Sequence, residues 1–391
     1  MPMKLLKILA ALLIAAFFLW FLSSRREQIH TAVKDRDSLS YWAAGQLLLH
    51  GQNPYSHVDV LALEQGQGYG FDKPLVLRTP PWSLWIVLQL GLLSSYWAWV
   101  LWLAVLLACL ITSMRMCWRL YGNGPRPPNI FILIGYLFAP VAGCLLAGQL
   151  GLVLLLAFVL FLKTEKKSEF LAGTALVILF AKPHVSALLW PILAFWIILR
   201  KKWLVASGFT TALVIATVIA AAFDPRVFSD YRQMLSESSI QHEFIPALSG
   251  VIRLIFFRNV FWIQFVPMVI AFGWSLIYFY CNQQNWEWPV HGPALLVVSI
   301  LTTPYAWMTD EAILLPAILQ GALWVYSSRS NLKLTSRIIV CIFAALDVLL
   351  LLILRAKIPF ATGIYFWSSL LWAGWYWYAK RFAPTAAFAR R

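Results

Sequence analysis

Charged residues are scarce in this chain of 391 residues, at 12%, about half of the roughly 25% that soluble domains carry. Acids are scarcer still, with 16 aspartates and glutamates against 31 lysines and arginines. Apolar residues make up 61% of the sequence, in runs long enough for membrane helices. This composition excludes a soluble enzyme and predicts an integral membrane protein.

Cysteine is also rare, and its five positions lie in or beside apolar stretches, with no pair inside a polar loop. The spacing therefore predicts neither a disulfide framework nor a metal cluster. Walker loops, dinucleotide glycine fingerprints and HExxH motifs are missing, so a nucleotide-consuming enzyme is not supported. The net charge of +15 fits the positive-inside bias of membrane proteins better than nucleic acid binding, and we expect no nucleic acid partner.

The apolar runs predict an all-α polytopic membrane protein with about 12 transmembrane helices, ten being the alternative. The first run, 5–23, has no evident cleavage site after it and indicates an uncleaved signal anchor. Short neighbouring runs, 129–146 with 149–163 and 170–183 with 185–200, predict hairpins or broken helices. The other predicted spans are 95–119, 203–222, 260–281, 292–306, 312–327, 335–354 and 361–379.

The distribution of charge predicts how these helices are oriented. If the ambiguous segment 80–93 is a membrane-surface or re-entrant helix, one side receives 18 lysines and arginines against three acids, and the other receives 12 of each. The cation-rich side is expected to be cytoplasmic, with both termini inside. We therefore expect a multi-pass protein of the bacterial inner (plasma) membrane, forming one domain over 1–391. Its active-site side would be extracytoplasmic, formed by the outer loops 24–94 and 223–259.

One acid in the first outer loop is well placed for chemistry. Asp37 precedes a stretch, Ser38 to Leu49, whose apolar residues recur at helical spacing and predict an amphipathic helix along the membrane interface. Asp37 could cap this helix by accepting backbone N–H bonds. Alternatively, it could act as a general base at the boundary between water and lipid. The nearby Asp35 is expected to be solvated.

A lysine interrupts a later apolar run. Lys182 lies in the middle of about 30 mostly apolar residues, where an ionisable group needs a partner or an aqueous pocket. Its side chain could instead snorkel towards the interface. The adjacent Pro183 breaks the helix, which suggests a cavity where Lys182 could hold a phosphate. His184 could assist there, or could be an ordinary loop histidine.

Several other polar residues have both a functional and a structural interpretation. Gln149, next to Gly148 in an apolar hairpin, could bond a sugar hydroxyl or be a solvated turn residue. Asp310 and Glu311 could orient a substrate, bind a divalent cation, or cap the next helix. We expect no metal or cofactor, although a divalent cation stays an open alternative. The arginines suited to bidentate phosphate binding are Arg78, Arg232, Arg253 and Arg258.

An ordered set of short motifs runs from about residue 30 to 320. Asp37…Tyr41, Ala44 and Gly51-Gln-Asn53-Pro54-Tyr55 are followed by four further elements: Thr79-Pro80-Pro81, Gly148-Gln149, Lys182-Pro183 and Thr303-Pro304…Trp307. In order and spacing, the set resembles the polytopic glycosyltransferases of the GT-C type, and most closely glycosyltransferase family 87. The pattern departs from that family after Trp307, where many members have histidines or Tyr-Asp and this chain has Thr309-Asp310.

The resemblance implies a GT-C-like bundle that moves a hexose, with mannose the expected sugar, from a polyprenyl-phosphate donor to a lipid or glycan acceptor outside the cytoplasm. The family's outer-loop aspartate maps onto Asp37, which would deprotonate the acceptor hydroxyl for one inverting displacement. Lys182 and one of the four arginines would bind the donor phosphate. Residues expected to bind substrate are Tyr41, Asn53, Tyr55, Gln149, His184, Trp307 and Asp310.

A lipid or glycolipid transporter, or flippase, is the main alternative because it would also bury charged residues in the membrane. It predicts repeats and midplane sites between discontinuous helices. The sequence instead has no fixed-period repeat and no inverted pair of halves, and its large outer loop carries a lone acid near its start. A second alternative is a membrane scaffold in which Asp37 is only a helix cap.

Overall fold

The structure is a computed structural model that describes residues 20, 23–122, 124–238, 241, 245–327 and 367–383, with isolated positions between 334 and 352. All regular secondary structure in these parts of the chain is helical, which agrees with the predicted all-α class. The predicted first span, 5–23, lies almost entirely outside the described residues. The spans 335–354 and 361–379 are described only in part.

The longer helices are numbered in the order of the chain. In chain order they are α1 (Arg26–Val33), α2 (Ser38–Leu49), α3 (His57–Gly66), α4 (Ser95–Tyr121), α5 (Asn129–Tyr136), α6 (Ala139–Ala147), α7 (Gly151–Thr164), α8 (Glu169–Leu179), α9 (Leu189–Arg200), α10 (Trp203–Phe223), α11 (Val227–Glu237), α12 (Leu248–Phe256), α13 (Val266–Asn282), α14 (Trp288–Thr302), α15 (Leu315–Ser327) and α16 (Ser368–Lys380).

Four helical segments in the described residues are long and apolar enough to cross a membrane: Ser95–Tyr121, Trp203–Phe223, Phe261–Asn285 and Met308–Ser327. A fifth span results if α5 and α6, which meet at a bend of 44°, cross as one unit. The helices α7, α8, α9 and α14 are apolar but shorter, with 10 to 17 residues. The predicted count of about 12 spans therefore stays a prediction.

The break between α8 and α9 falls where the sequence predicts it, whereas the break between α5 and α6 lies inside the predicted run 129–146. Within the predicted run 170–183, helix α8 ends at Leu179. A short 3-10 turn, Pro183–Ser186, then precedes α9. The ambiguous segment 80–93 forms three short helical turns between Pro81 and Leu92 and no long helix. A segment of this kind is too short to span the membrane as a straight helix.

Helix α2 forms over the predicted residues but is enclosed by protein. Ten of its 12 residues are buried, around its whole circumference, so it does not present one polar face to water. Gly45 permits its close contact with the broken segment, because a Cβ there would lie 2.6 Å from the Val87 carbonyl oxygen. The location of α2 at the membrane surface stays a prediction.

The two ends of the helical bundle carry different polar groups. At one end, Lys166 pairs with Glu287 and Lys202 pairs with Glu169, at distances of 3.2 and 2.7 Å. Arg200 donates to the backbone oxygen of Gln283 at the same end. The five charged residues of these contacts belong to the side that the charge distribution predicts to be cytoplasmic. The opposite ends of α8 and α9 converge on Lys182, where the candidate site lies.

Candidate active site at the Asp37 end of the bundle

Asp37 occupies the position just before α2, yet its side chain makes no capping hydrogen bond. Its carboxylate oxygen Oδ2 instead accepts a hydrogen bond of 2.5 Å from Nε2 of Gln149, 112 residues later in the chain. The described residues provide no hydrogen-bond donor to the other oxygen, Oδ1. A helix cap therefore does not explain this acid, and one carboxylate oxygen stays available.

Gln149 connects Asp37 with a buried ion pair. Its carbonyl oxygen Oε1 accepts from the Tyr41 hydroxyl at 2.9 Å and from Nζ of Lys182 at 3.3 Å. Because Tyr41 and Lys182 both donate to this atom, the amide nitrogen must face Asp37. Gln149 is therefore a fixed member of a polar network, and the solvated-turn interpretation is wrong.

The backbone around Gln149 is shaped by Gly148. This glycine ends α6 in the left-handed conformation, with φ of 73°, and its carbonyl accepts a 2.7 Å hydrogen bond from Nε1 of Trp102. A Cβ at position 148 would lie 2.7 Å from the Cβ of Ser38, the first residue of α2. Glycine is thus required both by backbone conformation and by close packing, which brings Gln149 beside Asp37.

Lys182 pairs with an acid from a distant part of the chain. Its Nζ lies 2.7 Å from Oδ1 of Asp310, with side-chain exposures of 13% for Lys182 and 0% for Asp310. A snorkelling lysine would direct its ammonium group to the interface, whereas this one faces a buried carboxylate. The expectation that Lys182 needs a partner is thus met by Asp310 and Gln149.

The adjacent acids Asp310 and Glu311 face different partners. Oδ2 of Asp310 accepts from the backbone N–H of Trp307 at 3.0 Å, so Asp310 caps its turn as well as pairing with Lys182. Glu311 accepts from the hydroxyl of Ser368 at 2.7 Å and from Nε1 of Trp372 at 2.8 Å. Their carboxylates therefore do not converge. Among the residues searched, no group of three or more histidines, cysteines and acids could hold a metal ion.

Tyr305 extends the site towards Arg78. Its hydroxyl oxygen accepts from Nη1 of Arg78 at 3.3 Å and from Nε1 of Trp307 at 3.2 Å. The guanidinium carbon of Arg78 lies 5.8 Å from the centre of the same ring. The ring of His184 meets it edge-on, with centroids 5.4 Å apart. Sequence reasoning missed Tyr305, although its place between Pro304 and Trp307 in a quoted motif was a usable signal.

The other predicted phosphate-binding arginines do not join this network. Arg232 and Arg258 are exposed, and the described contacts link neither of them to Lys182 or Asp37. Arg253 is buried and donates to the backbone oxygen of Gln241, with its guanidinium over the ring of Phe261. Of the four candidate arginines, Arg78 is therefore the one that the structure brings to the site.

The motif residues Asn53 and Tyr55 support the outer loop. Oδ1 of Asn53 accepts from the backbone N–H of Tyr55 at 2.8 Å, as in an Asx turn. The buried Tyr55 hydroxyl donates to the carbonyl of Thr79 at 2.8 Å, and its ring packs against Tyr231. These bonds tie the loop down beside the site, and within the described residues they connect neither side chain to Lys182.

Asp37 is electrostatically suited to accept a proton. Burial raises the pKa of its carboxyl above the ordinary value, while the Gln149 hydrogen bond and the Lys182 charge act in the opposite direction. A raised pKa makes the carboxylate a stronger base, provided that it is ionised at the working pH. The site thus combines a buried carboxylate, a fixed amide and a paired cation.

Comparison with known proteins identifies the family. The sequence model of glycosyltransferase family 87 matches residues 79–346, which is more than half of the chain and includes Gln149, Lys182, Tyr305 and Asp310. Asp37 and the outer-loop motifs lie before the matched region. No curated protein and no solved structure matches the chain. The chain belongs to glycosyltransferase family 87 and is a membrane glycosyltransferase.

Proposed function

We propose that this glycosyltransferase moves a hexose, with mannose the expected sugar, from a polyprenyl-phosphate donor to a lipid or glycan acceptor on the extracytoplasmic face of the bacterial inner membrane. The observation that carries the proposal is the hydrogen-bonded chain from Asp37 through Gln149 to Lys182 and Asp310. It joins an acid with one unpartnered oxygen to a cation at the same end of the bundle. Family membership supplies the reaction class.

In the proposed reaction, Oδ1 of Asp37 accepts the proton of the acceptor hydroxyl as that oxygen attacks the anomeric carbon. The new glycosidic C–O bond forms while the bond from the anomeric carbon to the phosphate oxygen breaks. The electron pair of that bond leaves with the polyprenyl phosphate. A single displacement inverts the anomeric configuration, so no covalent sugar–enzyme intermediate is required.

Negative charge grows on the departing phosphate, and fixed cations would stabilise it. Lys182 has three N–H donors, of which Asp310 and Gln149 engage two, so one can face the phosphate. Asp310 balances the charge of Lys182. Arg78, the second cation, would therefore contribute a larger share of the stabilisation of the phosphate. The contacts of Arg78 with Tyr305 support its location at the rim of the same site.

We expect the donor's sugar and its phosphate group to be contacted by His184, Tyr305 and Trp307. Nε2 of His184 is buried and has no hydrogen-bond partner among the described residues, so it can bond a substrate oxygen. The rings of Tyr305 and Trp307 are only partly buried, and a single residue separates the two positions in the same turn. Carbohydrate hydroxyls and apolar ring faces are suited to this mixture of polar atoms and aromatic surface.

The donor class is tested with the purified chain reconstituted into vesicles. We expect radiolabelled mannose to be transferred from polyprenyl-phosphate-mannose to added lipid or glycan acceptors, and not from nucleotide-linked mannose. Movement of labelled donor across the bilayer is measured in parallel, with protein-free vesicles as the control. Donor translocation without sugar transfer would favour the flippase alternative and contradict the proposal.

A further inference from the structure

A cavity lies along α4, away from Asp37. It has a volume of about 670 Å³ and lies between the last turns of α4 and helix α5. Trp102 of α4 contacts the Gly148 turn beside Asp37, and Arg115, which lines the cavity, lies 13 residues further along the same helix. At 1.5 Å per residue, Arg115 is roughly 20 Å from Trp102 along the helix axis. The cavity is therefore separate from the proposed active site.

The cavity presents two arginines on one face of α4. Arg115 and Arg119 are one helical turn apart and exposed, and no acid lines the cavity. The described residues provide no carboxylate partner for either guanidinium. The charged neighbours of Arg119 include Lys163, and Lys163 also interacts with Lys167, so the field at this end is positive. Two adjacent arginines in a positive field are suited to bind an anion from outside the chain.

The remaining wall of the cavity is apolar and firmly built. Nε1 of Trp118 donates to the carbonyl of Gly124 at 3.1 Å, and Phe131 packs edge-on against the same indole ring, with centroids 5.3 Å apart. Ile111 and Ile132 are exposed large apolar residues that continue the wall. Because α4 is long enough to cross a membrane, this wall faces the region where lipid chains lie.

We propose that this cavity binds an anionic glycerophospholipid, with its phosphate between Arg115 and Arg119 and one acyl chain along Ile111 and Ile132. A soluble phosphate would leave the apolar wall unused, and a neutral lipid would leave two arginines without a counter-charge. Basic pockets between transmembrane helices on the cytoplasmic side are suited to anionic headgroups. The proposal does not rest on the sugar-transfer reaction.

The experiment uses the full chain in nanodiscs that contain palmitoyl-oleoyl-phosphatidylglycerol and the matching phosphatidylcholine. Native mass spectrometry after release from the discs counts the lipids that stay bound. We expect the wild type to retain phosphatidylglycerol in preference to phosphatidylcholine. The double variant R115Q/R119Q should bind phosphatidylglycerol about tenfold more weakly or worse, since it loses its charged hydrogen bonds to the phosphate.

The control variant K201Q/R381Q removes the same charge from two exposed positions outside the cavity and should retain phosphatidylglycerol like the wild type. Thermal unfolding of both variants checks that each is folded. Equal retention of phosphatidylglycerol by R115Q/R119Q and wild type would overturn the proposal. So would equal retention of the two lipids by the wild type, or displacement of the bound lipid by inorganic phosphate.

Discussion

At the scale of single residues, the ionisation of Asp37 depends on one amide. Nε2 of Gln149 stabilises the charged carboxylate, while burial favours the neutral form and raises the pKa. Proton transfer to Asp37 requires the ionised form, so activity should fall as the pH drops through this raised pKa. The acid limb of the pH–rate profile should therefore lie above the range of an exposed aspartate.

The substitution Gln149→Met tests this dependence. It removes a hydrogen bond to a charged group, worth about 1.5–3 kcal/mol, so the acid limb should move to higher pH by about one unit or more. The pH dependence of transfer at saturating donor measures the shift. Gln233→Met, on an exposed surface of α11, should leave the limb in place. A limb that moves to lower pH, or does not move, would contradict the role given to Gln149.

The buried pair of Lys182 and Asp310 gives a second residue-scale prediction. Lys182→Met leaves an unpaired buried carboxylate and should destabilise the protein by about 3–5 kcal/mol. Adding Asp310→Asn removes that charge, so the double variant should recover most of the stability. Its KM for the donor should still be raised, because the third N–H of Lys182 is lost from the phosphate site.

The control for this experiment is the pair of Lys166 and Glu287, in which the Lys166 side chain is 60% exposed and the Glu287 side chain 16%. Lys166→Met should cost at most about 1 kcal/mol and should not change donor affinity. Unfolding of the vesicle-extracted protein and donor-dependent transfer rates provide the two measurements. If the double variant binds donor with the wild-type KM, Lys182 does not contact the phosphate.

The residues that sequence reasoning located best are those with an unusual chemical setting. A lysine beside a proline in an apolar run needed a partner, and the structure supplies Asp310. The partner itself could not be predicted, because 128 residues separate the two positions. Similarly, the presence of arginines in the sequence does not reveal which guanidinium lies near Lys182. The structure brings Arg78 there and leaves Arg232 and Arg258 exposed.

At the scale of secondary structure elements, the turn between α6 and α7 controls the site. Gly148→Ala would place a Cβ in the left-handed region and against Ser38, so we expect a loss of about 1–3 kcal/mol in the free energy of unfolding. Transfer should fall as well, since Gln149 would be displaced from Asp37. Thermal unfolding and activity of the purified variant measure both effects.

Gly273→Ala makes the same chemical change within α13, where a Cβ meets nothing within 4 Å. It should be neutral or stabilising by up to about 1 kcal/mol because alanine favours the helical conformation. Equal stability of the two variants would show that the Gly148 turn tolerates a side chain, contrary to the packing described.

The boundaries of α2 were predictable, whereas its surroundings were not. Asp37, the apolar spacing and Gly51 predicted a helix from Ser38 to Leu49, and the helix has these bounds. The polar residues of α2 predicted that one face of the helix would contact water. The structure instead buries Ser38, Ser40 and Gly45, because the broken segment and the Gly148 turn both pack on the helix. Local periodicity does not report such contacts between distant segments.

At the scale of the whole molecule, the helix ends form two separate polar regions. The pairs at Lys166 and Lys202 lie at one end, while Asp37 and Lys182 meet at the other. Short apolar helices such as α8 are compatible both with ten and with 12 spans.

Cysteine labelling measures the orientation directly. Labelling requires exposed positions on the two predicted sides of the membrane. Val58, on the predicted outer side, is 77% exposed, and Lys167, on the predicted inner side, is also exposed. The nearby acids Glu64 and Glu165 are buried and would not react. The background variant has serine in place of the exposed Cys281 and Cys341. In cells with a permeabilised outer membrane and an intact inner membrane, V58C should react with a membrane-impermeant maleimide. K167C should react only after lysis. The reverse pattern would place the site in the cytoplasm.

The account as a whole depends on the carboxylate at position 37. Sugar transfer from radiolabelled polyprenyl-phosphate-mannose in reconstituted vesicles compares wild type, Asp37→Asn and the exposed neighbour Asp35→Asn as matched control. Asparagine can still accept the Gln149 hydrogen bond but cannot take a proton. Asp37→Asn should therefore fold normally and lose about 10²–10⁴-fold in rate, while Asp35→Asn keeps full activity. Wild-type transfer by Asp37→Asn would contradict its assignment as the base.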